Sequence, residues 1–146
     1  MREDDLAYLT RSPLDLTKLV ATVAAPDRGG MASFLGLVRN RHQGRAVTGI
    51  EYSAYEPMAE AECDRIVAEA LERWPVCLAL LHRLGELEVG DAAVAVVAAG
   101  AHRDEAFAAC RYVIEEVKRR APIWKRERYA DGTEEWVEPA QELRVL

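Results

Sequence analysis

Residues 76–99 read VCLALLHRLGELEVGDAAVAVVAA, and this stretch decides the fold. It contains two apolar runs, VCLALLHRLG and AAVAVVAA, whose length and composition are typical of β-strands. The polar segment ELEVGD lies between them, and its Gly90-Asp91 pair is typical of a turn. The pattern therefore predicts two strands joined by a turn at residues 90–91.

A helix is predicted on each side of this pair of strands. Pro57 fits the first turn of one helix and Pro75 ends it, while the other begins near Asp104 and stops at Ala121-Pro122. In both segments apolar residues recur with a period near 3.6, which predicts one buried face per helix. The predicted buried positions are Ala59, Cys63, Ile66, Val67, Ala70, Leu71 and Trp74 in the first, and Phe107, Cys110, Val113, Ile114 and Val117 in the second.

Towards the N-terminus, the sequence predicts a short helix and a strand. Ser12 has the properties of an N-cap and Pro13 those of a first helical residue, so a short amphipathic helix should run to about Ala25. The apolar run MASFLGLV, residues 31–38, predicts a largely buried strand. Gly36 inside this strand indicates a bulge or a close approach of backbones.

The remaining elements are predicted to be strands. Alternation over Val47–Tyr55 predicts one, and IWKRERYADGTEEWVE, residues 123–138, predicts a hairpin around Asp131-Gly132. Three helices interleaved with about six strands, the last two forming the hairpin, give an α+β fold. We expect residues 1–146 to form one domain, because the length is sufficient for one core and no linker or repeat is found.

The charge and hydropathy of the sequence argue against several classes of protein. The formal net charge of -6 argues against general affinity for nucleic acid or anionic membranes. The N-terminus MREDDLAYLT lacks the regions of a signal peptide, and no apolar run approaches the length of a membrane span, so we expect a soluble cytoplasmic protein.

Metal and nucleophile signatures are weak. Cys63, Cys77 and Cys110 lie far apart among apolar residues, and we interpret them as small hydrophobic side chains rather than catalytic thiols. His42 and His82 lack metal-ligand spacing, and the sequence carries no P-loop, GxGxxG, HExxH or GxSxG pattern. We therefore expect no metal and no cofactor.

One basic segment stands out from the acidic chain. Residues 118–128, KRRAPIWKRER, carry six cationic side chains and one anionic side chain, which indicates a small anionic ligand. The chain has 16 arginines and only three lysines, yet Lys118 and Lys125 both lie here, around the helix stop. Lysine can lose its proton and act as a base or nucleophile, whereas arginine cannot. The alternative is a solvated basic helix end that complements the helix dipole.

Two further positions are candidates for anion binding. His102-Arg103 precedes a helix, whose free backbone amides favour phosphate, although His102 could equally cap or pack. Arg39, at the end of the MASFLGLV strand, could add a bidentate contact to phosphate or carboxylate, or be a solvated loop residue. Trp124 and Trp136, on opposite arms of the hairpin, are interpreted as core or interface residues rather than a stacking platform.

Six segments together resemble the large, catalytic subunit of molybdopterin synthase, the MoaE family. The resemblance spans about residues 12–138, and its most specific parts are KRRAPIWKRE and the AHR before the helix. The segments are FLGLVRN (34–40), YEPMAEAE (55–62), HRLGELEVGD (82–91), AHRDEAF (101–107), KRRAPIWKRE (118–127) and WVE (136–138).

The resemblance implies an α/β hammerhead fold with an added antiparallel β subdomain. It also implies a homodimer that carries a small ubiquitin-like subunit on each outer side, forming a heterotetramer. The C-terminal Gly-Gly thiocarboxylate of the small subunit supplies sulfur to cyclic pyranopterin monophosphate, which becomes the dithiolene of molybdopterin. The implied activity is that of a sulfurtransferase in molybdenum cofactor biosynthesis, and no bound metal is implied.

The resemblance also implies roles for individual residues. Lys118 resembles the principal catalytic lysine beside the thiocarboxylate, and Lys125 resembles the second lysine, which assists substrate activation. The remaining positions are implied to bind substrate: His102 and Arg103 at the phosphate, with Arg39, Arg126 and Glu127.

The sequence departs from one form of the family at two places. Leu37 occupies a position that can be lysine, and Pro139 follows WVE where a more polar residue is usual. Two other functions are compatible with the sequence: an adaptor that only binds the tail of a ubiquitin-like protein, and an RNA-binding domain that uses the basic hairpin. The net charge of -6 disfavours the second.

Overall fold

A computed structural model describes residues 6–137, and in it these residues form three α-helices and nine β-strands. In chain order they are β1 (Leu9–Thr10), α1 (Leu16–Val23), β2 (Gly30–Leu37), β3 (Arg41–His42), β4 (Arg45–Ala54), α2 (Glu56–Arg73), β5 (Val76–Arg83), β6 (Gly85–Glu88), β7 (Ala92–Gly100), α3 (Arg103–Arg120), β8 (Ile123–Tyr129) and β9 (Glu134–Val137). The predicted α+β class is confirmed.

The first sheet has the strand order β1-β5-β7-β2. The two apolar runs of the opening stretch form β5 and β7, which pair antiparallel from Val76↔Gly100 to His82↔Val94. Apart from the half-buried Ala92, the alanines and valines of β7 are buried, because α1 packs on one face of the sheet and α2 and α3 pack on the other. An apolar strand covered on both faces has no need of alternation, which explains the continuous run.

The buried faces of α2 and α3 follow the predicted period, with two exceptions. Phe107 is 63% exposed and Leu71 is also exposed, so their prediction as buried residues is wrong. Successive helical residues are turned by about 100°, and the buried stripe of α3 runs along the neighbouring small residues instead. The buried members are Ala106, Ala109, Cys110, Val113, Ile114 and Val117.

The segment between β5 and β7 is more than a turn. It contains β6, which leaves the first sheet and pairs with β4 from Gly49↔Glu88 to Tyr52↔Gly85. Leu87 alternates with Glu86 and Glu88 and is fully buried, so the segment forms a strand with one inner face. The chain changes direction at Gly85 and Gly90, both with φ above 90°, which only glycine adopts easily.

The second sheet is antiparallel and has the order β3-β4-β8-β9. In addition, β6 pairs with the edge of β4 that lies opposite β8. Its core consists of Val38, Val47, Ile50, Leu87, Ala93 and Tyr129. The predicted hairpin is confirmed as β8 and β9, and Gly132 in its turn has a φ of 88°. This sheet is the additional antiparallel layer that the resemblance implies.

At the N-terminal end the helix begins later than predicted. Asp15, not Ser12, is the N-cap of α1, because its side chain accepts a hydrogen bond from the Lys18 backbone N–H at 3.3 Å. The bulge predicted at Gly36 is confirmed by a register shift between Gly36 and Leu37. A Cβ at Gly36 would lie 2.7 Å from Val94 Cγ1, so the Val94 side chain occupies the space that a larger residue would need.

The cysteines behave mainly as packing residues. Cys63 and Cys110 are buried, and burial raises the pKa of their thiols to about 12 and about 11. Cys77 is half-buried between α1 and the first sheet. Among residues 6–137 no helix has the length and apolar character needed to cross a membrane.

Candidate active site

A cavity opens where the C-terminal end of α3, the end of β2 and the inner face of the second sheet meet. Its walls combine apolar side chains with the charged side chains of Arg39, Arg41, Lys118, Lys125 and Glu127. The lining residues are Gly36, Leu37, Arg39, Arg41, Ile50, Tyr52, His82, Ala93, Val94, Ile114, Val117, Lys118, Ala121, Ile123, Lys125, Glu127 and Val137.

The connection from α3 to β8 brings the two lysines to this cavity. The helix ends at Arg120, where the Ala121 N–H still donates to the Val117 carbonyl at 3.0 Å, and Pro122 prevents its continuation. Strand β8 then starts at Ile123. Lys118 in the last helical turn and Lys125 in the new strand therefore line one space.

The two arginines that follow Lys118 form ion pairs with glutamates of α3 and α2. Arg119 pairs with Glu116 on its own helix, whereas Arg120 bridges to Glu62 and Glu69 on α2, each at 2.7 Å. Arg120 therefore links the C-terminal end of α3 to α2. Lys118 is half-buried and lines the cavity, so it differs from its neighbours in surroundings as well as residue type.

Strand alternation decides which side chains of β8 reach the cavity. Ile123, Lys125, Glu127 and Tyr129 are buried on the inner face, and the residues between them lie on the outer face. Lys125 is only 6% exposed, which is rare for a lysine, and its Nζ lies 3.7 Å from Glu127 Oε2. The buried ammonium thus has a carboxylate next to it.

Glu127 is the centre of a small buried polar network. It is 2% exposed, and its Oε1 lies 2.6 Å from His42 Nδ1 and accepts a hydrogen bond from the Tyr129 hydroxyl at 3.0 Å. Burial, followed by the hydrogen bond to Glu127, raises the pKa of Tyr129 to about 12. The Arg45 guanidinium covers the outer side of the tyrosine ring at 3.5 Å from its centroid.

Arg39 reaches the cavity, but Arg126 does not. Arg39 follows the end of β2, is exposed, and forms no ion pair with any residue in the described range 6–137. Arg126 lies on the outer face of β8, where it pairs with Glu51 at 2.8 Å and with Glu134 at 3.6 Å. The period-2 pattern of IWKRERY already separates Arg126 from Lys125 and Glu127.

His102 and Arg103 lie at the opposite end of α3 from Lys118. His102 and Lys118 are sixteen positions apart along the helix, which corresponds to roughly 24 Å. His102 is the N-cap residue but makes no capping hydrogen bond through its side chain, and both residues are exposed. Within one chain they therefore cannot contact a ligand that sits between the lysines.

Three lining or network residues were not recognised as candidates from sequence. His82 and Tyr52 line the cavity with their rings edge to face, 5.0 Å apart, and His82 Nδ1 donates to the Arg83 carbonyl at 2.8 Å. His42 joins the Glu127 network from β3. Alternation along β4 and β5 places Tyr52 and His82 on inner faces, but nothing local in sequence indicates that these faces meet.

The tryptophans of the hairpin are not core residues. Trp136 is 57% exposed, and Trp124 is also exposed on the same outer face as Arg126, whose guanidinium lies 5.4 Å from the Trp136 ring centroid. Their prediction as core residues is wrong, and a role in an interface stays a prediction.

Among residues 6–137, no group of three or more histidine, cysteine, aspartate or glutamate side chains could hold a metal ion. Glu138 and Pro139, to which parts of the resemblance refer, lie outside the described residues.

Comparison with known proteins gives consistent matches. A family model described as MoaE protein matches residues 9–120. The chain is 45% identical over 140 residues to the molybdopterin synthase catalytic subunit of Pyrococcus abyssi, which covers 94% of both chains. It is 42% identical over 137 residues to that of a Nostoc species, covering 92% of this chain and 82% of the relative. The crystal structure of molybdopterin synthase from Staphylococcus aureus superposes with a TM-score of 0.84 at 33% identity, covering 89% of this chain and 95% of the other.

Proposed function

The chain belongs to the MoaE protein family, and from this premise we propose that it is the catalytic subunit of a molybdopterin synthase. In the proposed reaction, sulfur passes from the thiocarboxylate of a small ubiquitin-like subunit to cyclic pyranopterin monophosphate. The product carries the dithiolene of molybdopterin. The observation that carries the proposal is the convergence of Lys118, Lys125 and Arg39 on one cavity, since both reactants are anionic.

The partner proposal follows from the chemistry of the cavity. The relatives are named catalytic subunits, which implies a further subunit in their enzymes. The last two residues of a tail that ends in Gly-Gly have no side chains, so they can enter a cavity bounded by the apolar walls of Ile114, Val117 and Val94. The terminal thiocarboxylate then meets the lysines at the charged side. We place this reaction in the cytoplasm.

Each transfer consists of two steps. The thiocarboxylate sulfur attacks a substrate carbon and forms a C–S bond while a C–O bond of that carbon breaks, and the departing oxygen takes up a proton, which leaves a thioester between the partner's last glycine and the substrate. Water then cleaves the acyl C–S bond, so the partner leaves as a carboxylate and the sulfur stays on the substrate. We assign Lys118, the less buried lysine, to the thiocarboxylate and to proton transfer. The ammonium of Lys125 stabilises negative charge that develops on the substrate.

The remaining candidates receive different roles. Arg39 forms no ion pair with a described residue, which makes its guanidinium available to the substrate phosphate. Glu127 is too deeply buried to offer much surface to a substrate, so we assign it to holding Lys125. Arg126 is not included in the proposed site, because it pairs with Glu51 on the outer face.

We assign His102 and Arg103 to the active site of a second copy of the chain. Strand β2 is an edge of the first sheet among the described residues, and it runs from Gly30, packed against Arg103, to Leu37 at the cavity. A two-fold axis through the middle of β2 places the Gly30 end of one copy against the Leu37 end of the other. Exposed apolar side chains line this edge and the adjoining helix face: Met31, Phe34, Leu37 and Phe107.

One set of variants tests both the reaction and the shared site. The purified chain is mixed with a thiocarboxylated ubiquitin-like partner and the pterin monophosphate, and dithiolene product is measured. Lys118→Ala should lower the rate by at least about a thousandfold, because the group beside the reacting sulfur is lost. Lys18→Ala, which removes the third lysine on the exposed side of α1, should leave the rate unchanged.

Mixing two inactive variants then tests the second copy. Arg103→Ala and Lys118→Ala should each be inactive alone, whereas a mixture that exchanges subunits should regain about a quarter of the wild-type rate, by random pairing. Full activity of Lys118→Ala would refute the catalytic assignment. Tight partner binding without any product, in the wild-type chain, would favour the adaptor function instead. Failure of the mixture alone would refute only the shared site.

A further inference from the structure

We propose that His42 and Tyr129 are positioning residues, which hold the Glu127 carboxylate so that it fixes Lys125 in place for sulfur transfer. The proposal rests on the function proposed above and adds two residues that make no contact with the cavity themselves. They act through a chain of side chains that runs from β3 across β8 to the cavity.

The contacts divide the two oxygens of Glu127 between two tasks. Oε1 lies 2.6 Å from His42 Nδ1 and 3.0 Å from the Tyr129 hydroxyl, whereas Oε2 lies 3.7 Å from Lys125 Nζ. Tyr129 keeps its proton at neutral pH and is therefore a donor in this bond. One oxygen is thus held by two groups, and the other is directed at the lysine.

The different contacts of the two oxygens are important because the side chains of this network are almost completely buried. A buried carboxylate without partners is strongly disfavoured, and a charge-assisted hydrogen bond is roughly twice as strong as a neutral one. Two bonds to Oε1 fix the rotation of the carboxylate and leave Oε2 in one position. The flexible lysine stem then has one preferred end point, and small displacements of catalytic groups are known to cost large factors in rate.

His42 is held in a way that suits positioning better than stability. It lies in the two-residue strand β3, is 7% exposed, and its Nε2 has no hydrogen-bond partner among the described residues. A buried polar atom without a partner destabilises the folded state, so an apolar residue at position 42 would serve packing alone better. The geometry requires the proton on Nδ1, because Glu127 Oε1 is only an acceptor when ionised.

The test compares variants that differ in a single donor. His42→Leu removes the bond to Glu127, whereas His42→Asn retains a donor near the Nδ1 position. We expect kcat to fall about tenfold in His42→Leu, with KM for the pterin little changed, and to recover most of that loss in His42→Asn. Tyr129→Phe should lower kcat severalfold. Tyr112→Phe is the matched control, because it removes a hydroxyl that donates to Glu69 on α2 at 2.6 Å, away from the cavity.

Nitrogen NMR of the wild-type protein gives a test that does not depend on a variant folding. The His42 ring should show a protonated Nδ1 with a resonance shifted by a strong hydrogen bond. An unprotonated Nδ1 would overturn the proposal, as would full kcat in a folded His42→Leu variant or equal losses in the Leu and Asn variants. If the wild-type protein transfers no sulfur, the proposed function fails, while the NMR result still decides whether the network exists.

Discussion

Strands β7 and β8 are each an interior strand of their sheet, yet they bury opposite kinds of side chain. From Ala93 to Gly100 every residue of β7 is buried and apolar, whereas β8 alternates and buries Lys125 and Glu127. Apolar burial stabilises by about 25 cal/mol per Å², but buried charges lose hydration that pairing only partly restores. Burial of β7 therefore stabilises the fold, whereas β8 holds charged side chains beside the cavity at some cost in stability.

The largest effect that tests this difference is expected from Lys125→Met. The substitution keeps a long side chain and removes the ammonium, so sulfur transfer should fall by about a hundredfold. The free energy of unfolding should fall by about 1 kcal/mol, less than the roughly 3 to 5 kcal/mol typical when one partner of a buried ion pair is removed, because Glu127 keeps its hydrogen bonds to His42 and Tyr129. The measurements are product formation and urea unfolding.

Arg128→Gln is the matched control for that experiment. It removes a cation from the same strand, but on the outer face, where Arg128 pairs with Glu86. Transfer should stay near the wild-type rate. A large loss of activity in Arg128→Gln would mean that total charge, and not position on the inner face, governs the reaction.

A substitution in β7 should show the opposite profile. Val96 is fully buried between the sheet and α3, and Val96→Ala removes two methylene equivalents from that core. The expected loss is about 2 kcal/mol of unfolding free energy, seen as a Tm lower by several degrees. Sulfur transfer per folded molecule, measured well below Tm, should be unchanged. A stable variant with impaired transfer would contradict the division between the strands.

The smallest of the three effects is expected from the ion pairs between α2 and α3, the helices that cover the first sheet. The Arg120 guanidinium, followed by the Tyr112 hydroxyl, lowers the pKa of Glu69 to about 2 from its ordinary 4.5. A depressed carboxyl pKa contributes stability above pH 4.5 that is lost as the pH falls towards 2. Arg120→Gln should lower Tm less than Val96→Ala does at pH 7, and should reduce the acid-induced loss between those pH values. An unaltered acid profile in thermal melts would show that the ion pairs do not contribute.

The elements that follow a local pattern could be predicted from the sequence. The alternation of IWKRERYADGTEEWVE gave the β8–β9 hairpin, and Ala121-Pro122 gave the end of α3, so the lysine pair could be proposed without coordinates. The same alternation would have removed Arg126 from the site. The prediction that Phe107 is buried is wrong because the packing of the neighbouring elements decides where the edge of the buried helix face lies.

The parts that depend on long-range pairing could not be predicted. β6 is four residues long, and it is recognisable as a strand through its pairing with β4, about 36 residues earlier in the chain. The Glu127 network joins residues 85 positions apart through one hydrogen bond to His42. The separation of His102 from Lys118 follows from the length of α3, but its meaning depends on an assembly that one chain does not contain.

The detour of the chain through β6 makes residues 84–91 a rigid tie between the two sheets. The segment leaves the first sheet after β5, is hydrogen-bonded into the second along Gly85–Glu88, and returns as β7. Since the cavity takes walls from both sheets, this hydrogen-bonded connection limits changes in its width. In the proposed reaction, the entropy cost of ordering then falls mainly on the glycine tail of the partner.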